Sequence, residues 1–409
     1  MSNGTLLKAS GKTRLPTIGI AGAGIGGLAL AIALRRKGYA PVVFERRQRG
    51  QVGEEGIFLT LAPNGLNALR GLGLAEVVGA KGVVTTGIAL HNEHGRQIGL
   101  VDYAAHAQAF GAPSVTIRRG ALSETLLDAA LAEGIEVHFG AAIDGVSESS
   151  DGVTVSAGGA RQQVDLLAAA DGLRSVVRRL VLPHLPKPVF NGLIGSGGII
   201  DVPSVAPTGG RMLMTFGPRA FFGYIKHGDG PVYWFDSYPS AEETIRVGDP
   251  ATFARFLREL HRGDPLANSA ILAAVPGVSS AYPDYDIPSL KDWFTDRVVL
   301  MGDAAHAVTP HSGQGASMAL EDALVLAACI EAEASPLAAF RRFESLRRER
   351  VEAAVALGRQ GGQQKKAQSW LALRLRDLIL PLVVPLGQKA QEKLFAFRAD
   401  RSPLAQPAR

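Results

Sequence analysis

The glycine-rich run Ala21-Gly22-Ala23-Gly24-Ile25-Gly26-Gly27 has the composition of a phosphate-binding turn. It follows the apolar segment Thr17–Ala21 and contains the spacing Gly-x-Gly-x-x-Gly at Gly22, Gly24 and Gly27. In such a run the first glycine permits a tight turn and the second lets the backbone approach a pyrophosphate. The third lets the following helix pack closely on the strand. The amides at the start of that helix favour an anion, so the run predicts a dinucleotide site. The alternative is a glycine-rich turn without a ligand.

A carboxylate follows at the distance expected of a ribose ligand. Pro41–Glu45 is rich in Val and Phe and predicts a second strand that ends in Glu45. A carboxylate there can accept hydrogen bonds from ribose hydroxyls, which favours FAD or NAD over NADP. Arg46 and Arg47 come next and leave the exclusion of NADP open.

A second loop near residue 302 could bind the other end of a dinucleotide. Gly302-Asp303 follows the apolar segment Val298–Met301, and Asp303 can bind hydroxyls or cap the next turn. After Pro310, the run Gly313-Gln314-Gly315-Ala316-Ser317 opens a helix whose amides and dipole favour negative charge. The alternative for this run is an ordinary helix start.

With this loop the sequence resembles the group A FAD-dependent monooxygenases, the para-hydroxybenzoate hydroxylase-like family of aromatic hydroxylases. The resemblance covers about residues 17–322 and rests on four motifs in order. They are the first glycine run, Arg119-Gly120-Ala121-Leu122, the segment from Asp171-Gly172 to Arg178, and Gly302–Ala307 with the helix start after it. Ser317 stands where many relatives have asparagine, which leaves its contact with the flavin ring open.

The resemblance implies FAD as cofactor, with Asp303 reaching its ribityl chain, Arg119 reaching FAD and Pro310 beside the reacting edge of the flavin. The alternative to cofactor binding for Asp171 and Arg178 is a local ion pair between them. His306 is expected to have a structural role in its loop rather than to act as a base. The expected cofactor-binding residues are Gly22, Gly24, Ile25, Gly26, Gly27, Glu45, Arg46, Gly56, Ile57, Arg119, Asp171, Gly302, Asp303, Pro310, Gly313, Gly315, Ala316 and Ser317.

The order of elements predicts an α/β fold: a Rossmann-like FAD-binding domain with an inserted antiparallel-sheet substrate domain and C-terminal helices. We expect the FAD-binding domain at 1–186 and 288–334, with 83–103 contributing to the substrate side. The substrate domain is expected at 187–287 and the helical segment at 335–409. Three segments are predicted to be strands of the first sheet: Ile135–Phe139, Val153–Ser156 and Leu166–Ala170. The segment Leu378–Leu386 holds Pro381 and Pro385 and predicts a packed, kinked helix end rather than a membrane anchor.

Aromatic segments between residues 212 and 237 predict an antiparallel meander that could build a substrate pocket. The expected substrate-binding residues are Met212, Met214, Phe216, Phe222, Tyr224 and Phe235, and the alternative is that they form the core of their own sheet. No catalytic residue is assigned. The candidates for polar or catalytic contacts are Pro310, Arg211, Tyr224, His227 and Asp236.

The resemblance also implies a reaction. NADH or NADPH would bind transiently, and O2 would react to give a flavin C4a-hydroperoxide that oxygenates an aromatic or polyketide-like, polycyclic molecule. The glycine-rich Gly195–Gly198 is followed by Ile199-Ile200 and not by a helix start, so no second nucleotide motif is found. A FAD-dependent reductase or saturase and a non-oxidising flavin-bound accessory protein remain alternatives. The substrate, the type of oxygenation and the choice between NADH and NADPH stay open.

Composition excludes several other classes of protein. The 409 residues suggest two folding units, and 46% hydrophobic with 20% charged residues suits a soluble globular protein. The net charge is +5 and there is no long Lys/Arg run, which disfavours nucleic-acid binding. Cys329 is the only cysteine, so an intramolecular disulfide and a cysteine metal site are excluded, and no metal is expected. We expect a cytoplasmic monomer or homodimer without a membrane span.

Overall fold

The computed structural model describes residues 15–54, 56–243, 247–363, 365 and 370–401. Its strands are β1 Thr17–Ala21, β2 Ala40–Glu45, β3 Phe58–Leu61, β4 Val83–Thr85, β5 Gly87–Asn92, β6 Gln97–Asp102, β7 Ser114–Arg118, β8 Glu136–Phe139, β9 Ile143–Ser149, β10 Gly152–Ala157, β11 Ala160–Val164, β12 Leu166–Ala169, β13 Val189–Ile200, β14 Arg211–Phe216, β15 Phe221–Lys226, β16 Val232–Pro239, β17 Tyr282–Asp286 and β18 Val298–Leu300. Its helices are α1 Ile25–Arg36, α2 Pro63–Gly71, α3 Ala75–Ala80, α4 His106–Phe110, α5 Arg119–Ala132, α6 Val176–Val181, α7 Pro250–Leu260, α8 Leu266–Ala274, α9 Asp303–His306, α10 Gly315–Ala332, α11 Pro336–Gln363 and α12 Trp370–Phe395.

A five-stranded parallel sheet of order β18-β12-β1-β2-β8 forms the nucleotide-binding half of the fold. Helix α1 follows β1 and is buried along most of its length, with α10 packed against it. This is the Rossmann-like arrangement expected from the sequence. The carboxyl ends of β1 and β18 lie at one edge of the sheet, and they deliver the two glycine-rich loops there.

One strand assignment is wrong. The segments at 135–139 and 166–170 do lie in the parallel sheet, but Val153–Ser156 belongs to a separate antiparallel sheet of order β11-β10-β9. The turn after β10 explains the difference. Gly158 and Gly159 have φ angles of 56° and 81°, the left-handed pair that closes a tight hairpin and pairs β10 with β11 instead of with a parallel neighbour.

A seven-stranded sheet of order β17-β13-β16-β15-β14-β5-β6 forms the substrate side. Strands β5 and β6 come from the first third of the chain and join this sheet through a parallel pairing of β5 with β14. Strand β4, which we also expected on the substrate side, pairs instead with β7 in the small sheet β3-β7-β4.

The two faces of the seven-stranded sheet have different surroundings. We call the face that packs under α7 and α8 the back face; Phe222 and Trp234 bury themselves there against Leu257 and Ile271. We call the opposite one the front face. The ring of Phe58 stands edge-on to Tyr233 and Phe235 of the front face, at centroid distances of 5.4 and 6.0 Å. Because Phe58 begins β3, the front face is turned toward the nucleotide-binding half.

The C-terminal helices differ in part from expectation. Helix α11 lies in the C-terminal segment that was expected to be helical, and it packs on α10. The segment at 378–386 does not form a packed helix end; it lies in the middle of α12, where Leu378 and Leu382 are 71% and 75% exposed. Neither proline ends α12, and the helix continues to Phe395. Among the described residues, no helix is long and apolar enough to cross a bilayer.

Candidate cofactor and substrate site

The three motif glycines after β1 are constrained in different ways. Gly22 has φ 97°, and a Cβ atom there would lie 2.8 Å from the carbonyl oxygen of Ala170. A Cβ on Gly27 would lie 2.0 Å from the carbonyl oxygen of Gly22, so only glycine lets α1 approach β1 this closely. A Cβ on Gly24 would meet nothing within 4 Å. Gly24 therefore borders open space, as the backbone approach of a pyrophosphate requires.

The start of α1 presents free amides to that space. The first hydrogen bond of the helix runs from the amide of Leu28 to the carbonyl of Gly24, at 3.0 Å. The amides of Ile25, Gly26 and Gly27 precede it and have no acceptor among the described residues. Helix N-termini of this kind bind phosphate groups.

Glu45 is buried at the end of β2, and both of its carboxylate oxygens have protein partners. Its carboxylate accepts hydrogen bonds from the amide of Ala23 at 2.7 Å and from the amide of Arg47 at 2.9 Å. The Arg47 guanidinium forms a salt bridge with it at 2.9 Å. Burial would raise the pKa of Glu45, but these partners hold that pKa below its usual value. Arg46, the expected cofactor ligand, is exposed; the arginine that contacts Glu45 is Arg47.

Gly56 and Ile57 lie against the start of α5. Gly56 has φ 73°, and a Cβ there would lie 2.6 Å from Cδ of Arg119. The amide of Arg119 donates to the carbonyl of Ile57 at 3.3 Å. The contact brings Arg119 against Gly56 and Ile57, which precede it by a long stretch of the sequence and are also expected cofactor residues.

Asp303 begins α9 after Gly302, whose φ is 55°. Its carboxylate is accessible to solvent and makes no hydrogen bond or salt bridge with the described residues. Surrounding protein atoms partly desolvate it and raise its pKa, while His306 and Arg119 act in the opposite direction. An accessible carboxylate without a protein partner suits the hydroxyls of a sugar chain.

Arg178 links the third motif to this loop, and it does so through backbone carbonyls rather than through an ion pair with Asp171. Its Oδ2 accepts hydrogen bonds from the amides of Val176 and Val177 at 2.7 and 3.1 Å, while its buried Oδ1 has no partner among the described residues. Arg178 donates to the carbonyl of Ala304, at 2.6 Å, and to that of Leu173, at 2.7 Å. Arg178 thus ties the Asp171 turn to the Asp303 loop.

The start of α10 offers a second set of free amides. The first bond of this helix runs from the amide of Met318 to the carbonyl of Gln314 at 2.8 Å, so the amides of Gly315, Ala316 and Ser317 are left for a ligand. A Cβ on Gly315 would meet nothing within 4 Å. The hydroxyl of Ser317 is buried, and its Oγ would lie 2.4 Å from a Cβ on Gly65.

A buried ionic network holds both loops, and sequence reasoning missed it. The Arg347 guanidinium of α11 is 0% exposed; its Nε donates to Asp322 at 2.7 Å and its Nη1 to Glu321 at 2.6 Å. Asp322 in turn accepts from the amide of Gly302 at 2.8 Å and lies 2.6 Å from Nε2 of His306. Two adjacent acids inside an otherwise apolar helix were the signal in the sequence.

The network fixes charges as well as positions. Burial would raise the pKa of Asp322, but His306 and Arg347 lower it to about 2. His306 has its Nε2 on Asp322 and is buried within the loop. This placement is consistent with the structural part expected of His306 and leaves no accessible ring nitrogen for a base on that side.

The structure divides the six expected substrate-binding residues between the two faces. Met212, Met214, Phe216 and Phe235 alternate onto the front face, as strand geometry requires. Phe222 and Tyr224 share a face as expected, but it is the back face, where they pack in the core under α7 and α8. For these two the alternative interpretation, the core of their own sheet, is the one the structure supports.

The polar candidates of the meander also lie away from the front face. Asp236 pairs with Phe222 across the strands, and its Oδ1 accepts from the amide of Ser196 at 2.9 Å on the back face. Arg211 and His227 are exposed at the ends of β14 and β15. Pro310 is exposed beside the start of α10 and keeps its place next to the free amides.

The front side instead carries another group of ionisable side chains: His311, Asp284 and Lys365. His311, which follows Pro310, lies 2.9 Å from Asp284 through its Nε2, and both side chains are buried. The Lys365 Nζ sits 3.8 Å from the ring centroid of Phe221 on the front face and has no hydrogen-bond acceptor among the described residues. Burial lowers the pKa of Lys365 to about 8, with Asp284 opposing the shift. These residues come from three distant segments, so no spacing in the sequence could have revealed them.

A family model described as an FAD binding domain matches residues 14–215 and 272–360. The chain belongs to the group A flavoprotein monooxygenases. This flavoprotein is 33% identical over 369 residues to the aurachin C monooxygenase/isomerase of Stigmatella aurantiaca, a match that covers 90% of this chain and 94% of that protein. It is 32% identical over 341 residues to the 3-amino-4-hydroxybenzoate 2-monooxygenase of Streptomyces cremeus, covering 81% of this chain and 82% of that protein.

The structure of Klebsiella pneumoniae HpxO complexed with FAD and uric acid is similar to that of this monooxygenase over nearly the whole length. The TM-score is 0.79 at 26% identity, with 96% of this chain and 97% of that chain covered. FAD is therefore the cofactor of this flavoprotein. The open space over Gly24, the free amides of α1 and α10 and the unpartnered Asp303 all fit a bound FAD.

Removing the Asp303 carboxylate should deplete this monooxygenase of FAD. We expect Asp303→Ala to be purified with less than about a tenth of the wild-type flavin, because a lost hydrogen bond to a charged group weakens binding by roughly 1.5–3 kcal/mol. The measurement is the ratio of flavin absorbance to protein absorbance after gel filtration. Asp151→Ala, in an exposed turn far from the loop, is the matched control. Full flavin occupancy in Asp303→Ala would contradict the assignment.

Proposed function

We propose that this flavoprotein is a single-component hydroxylase that uses NADH or NADPH and O2 to insert one oxygen atom into an aromatic or polyketide-like small molecule. The observation that carries the proposal is a juxtaposition. The free amides at Gly315 and Ala316 lie beside Pro310. The next residue, His311, contacts Asp284 of β17, which belongs to the sheet that carries the aromatic front face. The names of the relatives, which specify an aurachin and an aminohydroxybenzoate, support an aromatic substrate.

The protein groups have separable tasks in this proposal. Bound FAD would supply hydride acceptance and oxygen activation. The amides of Gly24–Gly27 would hold its pyrophosphate, Glu45 and Asp303 its hydroxyls, and the amides of Gly315 and Ala316 the negative charge of the reduced ring. The other expected cofactor-binding residues remain part of the proposal. Arg47 is added to them next to Arg46, because it is the arginine that contacts Glu45.

The front face would receive the substrate. Met214 and Phe235 are partly buried there, while Met212 and Phe216 are buried, with Phe216 in one cluster with Leu380 of α12. Lys365 offers an ammonium group with no acceptor of its own among the described residues, and Asp284 and His311 lie near it. We therefore add to the proposal that Lys365 binds an acidic oxygen of the substrate, such as a phenolate or an enolate.

Oxygen consumption separates the proposed function from its alternatives. With a panel of aurachin C, 3-amino-4-hydroxybenzoate and uric acid, we expect at least one compound to stimulate NAD(P)H oxidation with matching O2 uptake. Labelled O2 should place one labelled atom in the product. Turnover of NAD(P)H without O2 uptake in the presence of a reduced product would favour a reductase or saturase. Retained FAD with no NAD(P)H oxidation for any compound would favour an accessory protein.

The charge on Lys365 should make the binding of an anionic substrate pH-dependent. A lysine is charged below its pKa, so a cation with a pKa of about 8 is present at pH 7 and is lost as the pH rises through 8. We expect the KM of an anionic substrate to rise above pH 8 while kcat changes less. In Lys365→Met the KM should be high at all pH values, and Lys187→Met, an exposed lysine, should behave as wild type. A wild-type pH profile in Lys365→Met would refute the part assigned to Lys365.

A further inference from the structure

Helix α12 carries an apolar stripe that no described residue covers. Leu375, Leu378, Ile379, Leu382 and Val383 are 55%, 71%, 44%, 75% and 37% exposed. Their spacing of i, i+3, i+4, i+7 and i+8 puts all five on one side of a helix. Scattered exposed leucines are ordinary on a protein surface, but a continuous stripe on one helix face marks an interaction site.

The stripe is not the face by which α12 docks on the protein. Leu380 and Val384 lie on the opposite side and pack with Phe216 and Phe221 of the substrate sheet. On that same side Asp377 accepts a hydrogen bond from Asn92 at 2.7 Å. The helix is thus held by its inner face, and its outer face is left for another partner.

Positive charge accompanies the apolar stripe. Arg374 before it and Lys389 and Lys393 after it are exposed on the same helix. Asp377 pairs with Arg376 at 2.7 Å, whereas Glu392, beside the two lysines, accepts from the neutral Gln388 at 3.1 Å and keeps its charge. The outer side of α12 therefore combines apolar side chains with three exposed cations that outnumber the one acid near them.

The combination of apolar and basic side chains indicates whether a second copy of the chain or a lipid surface is the better partner for the stripe. An antiparallel pair of α12 helices would set the Arg374 end of one against the lysine end of the other, and a parallel pair would set each basic end against itself. Either arrangement brings like charges together, since each copy contributes three exposed cations and Glu392 as the acid near them. An anionic bilayer instead accepts both features, because apolar side chains enter the headgroup boundary while Lys and Arg meet lipid phosphates.

We infer that α12 is an interfacial helix that attaches this flavoprotein to the surface of an anionic lipid bilayer. The helix lies in the plane of the interface, with its leucine stripe in the headgroup region and its basic residues on the phosphates. The exposed Pro381 and Pro385 lie on the outer half and do not interrupt the inner packing. This attachment does not depend on the proposed oxygenation.

Vesicle co-sedimentation of the FAD-loaded protein tests the inference. We expect binding to vesicles of phosphatidylcholine with phosphatidylglycerol, weaker binding to pure phosphatidylcholine, and loss of binding as salt is raised. The double variant L378S/L382S should bind about tenfold more weakly or worse, because it removes apolar side chains that insert. The double variant K389Q/K393Q should lose the preference for the anionic vesicles. L266S, a leucine that is 89% exposed on α8, is the matched control and should bind as wild type.

Three results would overturn the inference. They are absence of wild-type binding to the anionic vesicles, equal binding by L378S/L382S, and a concentration-dependent dimer in sedimentation velocity that L378S/L382S abolishes. The last would assign the stripe to a second copy of the chain. Circular dichroism and flavin content show that each variant is folded, and because both replaced leucines are mostly exposed, neither should change.

Discussion

The buried guanidinium of Arg347 is the constraint on which the rest of the site depends. A charge without solvent contact is tolerated only when it is paired and hydrogen-bonded, and Arg347 has both Glu321 and Asp322 as partners. The two acids belong to α10, the arginine to α11. Through Asp322 the same charges hold the amide of Gly302 and the ring of His306. One cation thereby sets the position of the loop that presents Asp303 relative to the helix that begins with the free amides of Gly315 and Ala316.

The network continues to the start of α10. Asn64 of α2 donates to Glu321 at 2.6 Å and to the side chain of Gln314 at 3.0 Å. Gln314 precedes the free amides at Gly315 and Ala316, so α2 supports the start of α10. Glu321 also pairs with Arg350 at 2.7 Å, so loss of Arg347 would remove one of the two arginines on Glu321 and the guanidinium partner of Asp322. Removing one partner of a buried ion pair costs about 3–5 kcal/mol in other proteins. A cofactor site assembled from loops needs support of this kind to keep its geometry.

The nucleotide end could be predicted from the sequence because its constraints are local. Gly27 is fixed by a backbone clash with Gly22 in the same turn, Gly22 has a φ of 97°, and Glu45 follows at the end of the next strand. The face of Phe222 and Tyr224 could not be predicted in the same way. Alternation tells which residues share a face, but the helices that cover one face, α7 and α8, follow later in the chain. Lys365 and Arg347 contact residues that are far away in the sequence, and no spacing between residues of the sequence predicts such contacts.

The exposed apolar stripe of α12 is another feature that the sequence alone could not predict. The sequence indicated an apolar segment with two prolines, and burial was the natural expectation for it. The inner side of α12 satisfies its packing with Leu380 and Val384, which leaves the other leucines exposed. Composition alone cannot divide one apolar segment between a docked and a free side, since that division depends on which side meets the sheet.

The affinity of apoprotein for FAD in an Arg347 variant tests most directly whether the ionic network organises the cofactor site. Arg347→Met removes the cation but keeps an apolar chain of similar length, and Arg341→Met changes an exposed arginine on the same helix. Titration with FAD, followed by quenching of flavin fluorescence, should show at least about tenfold weaker binding for Arg347→Met and wild-type binding for Arg341→Met, since 1.4 kcal/mol corresponds to a factor of ten. Wild-type affinity in a folded Arg347→Met protein would contradict this account.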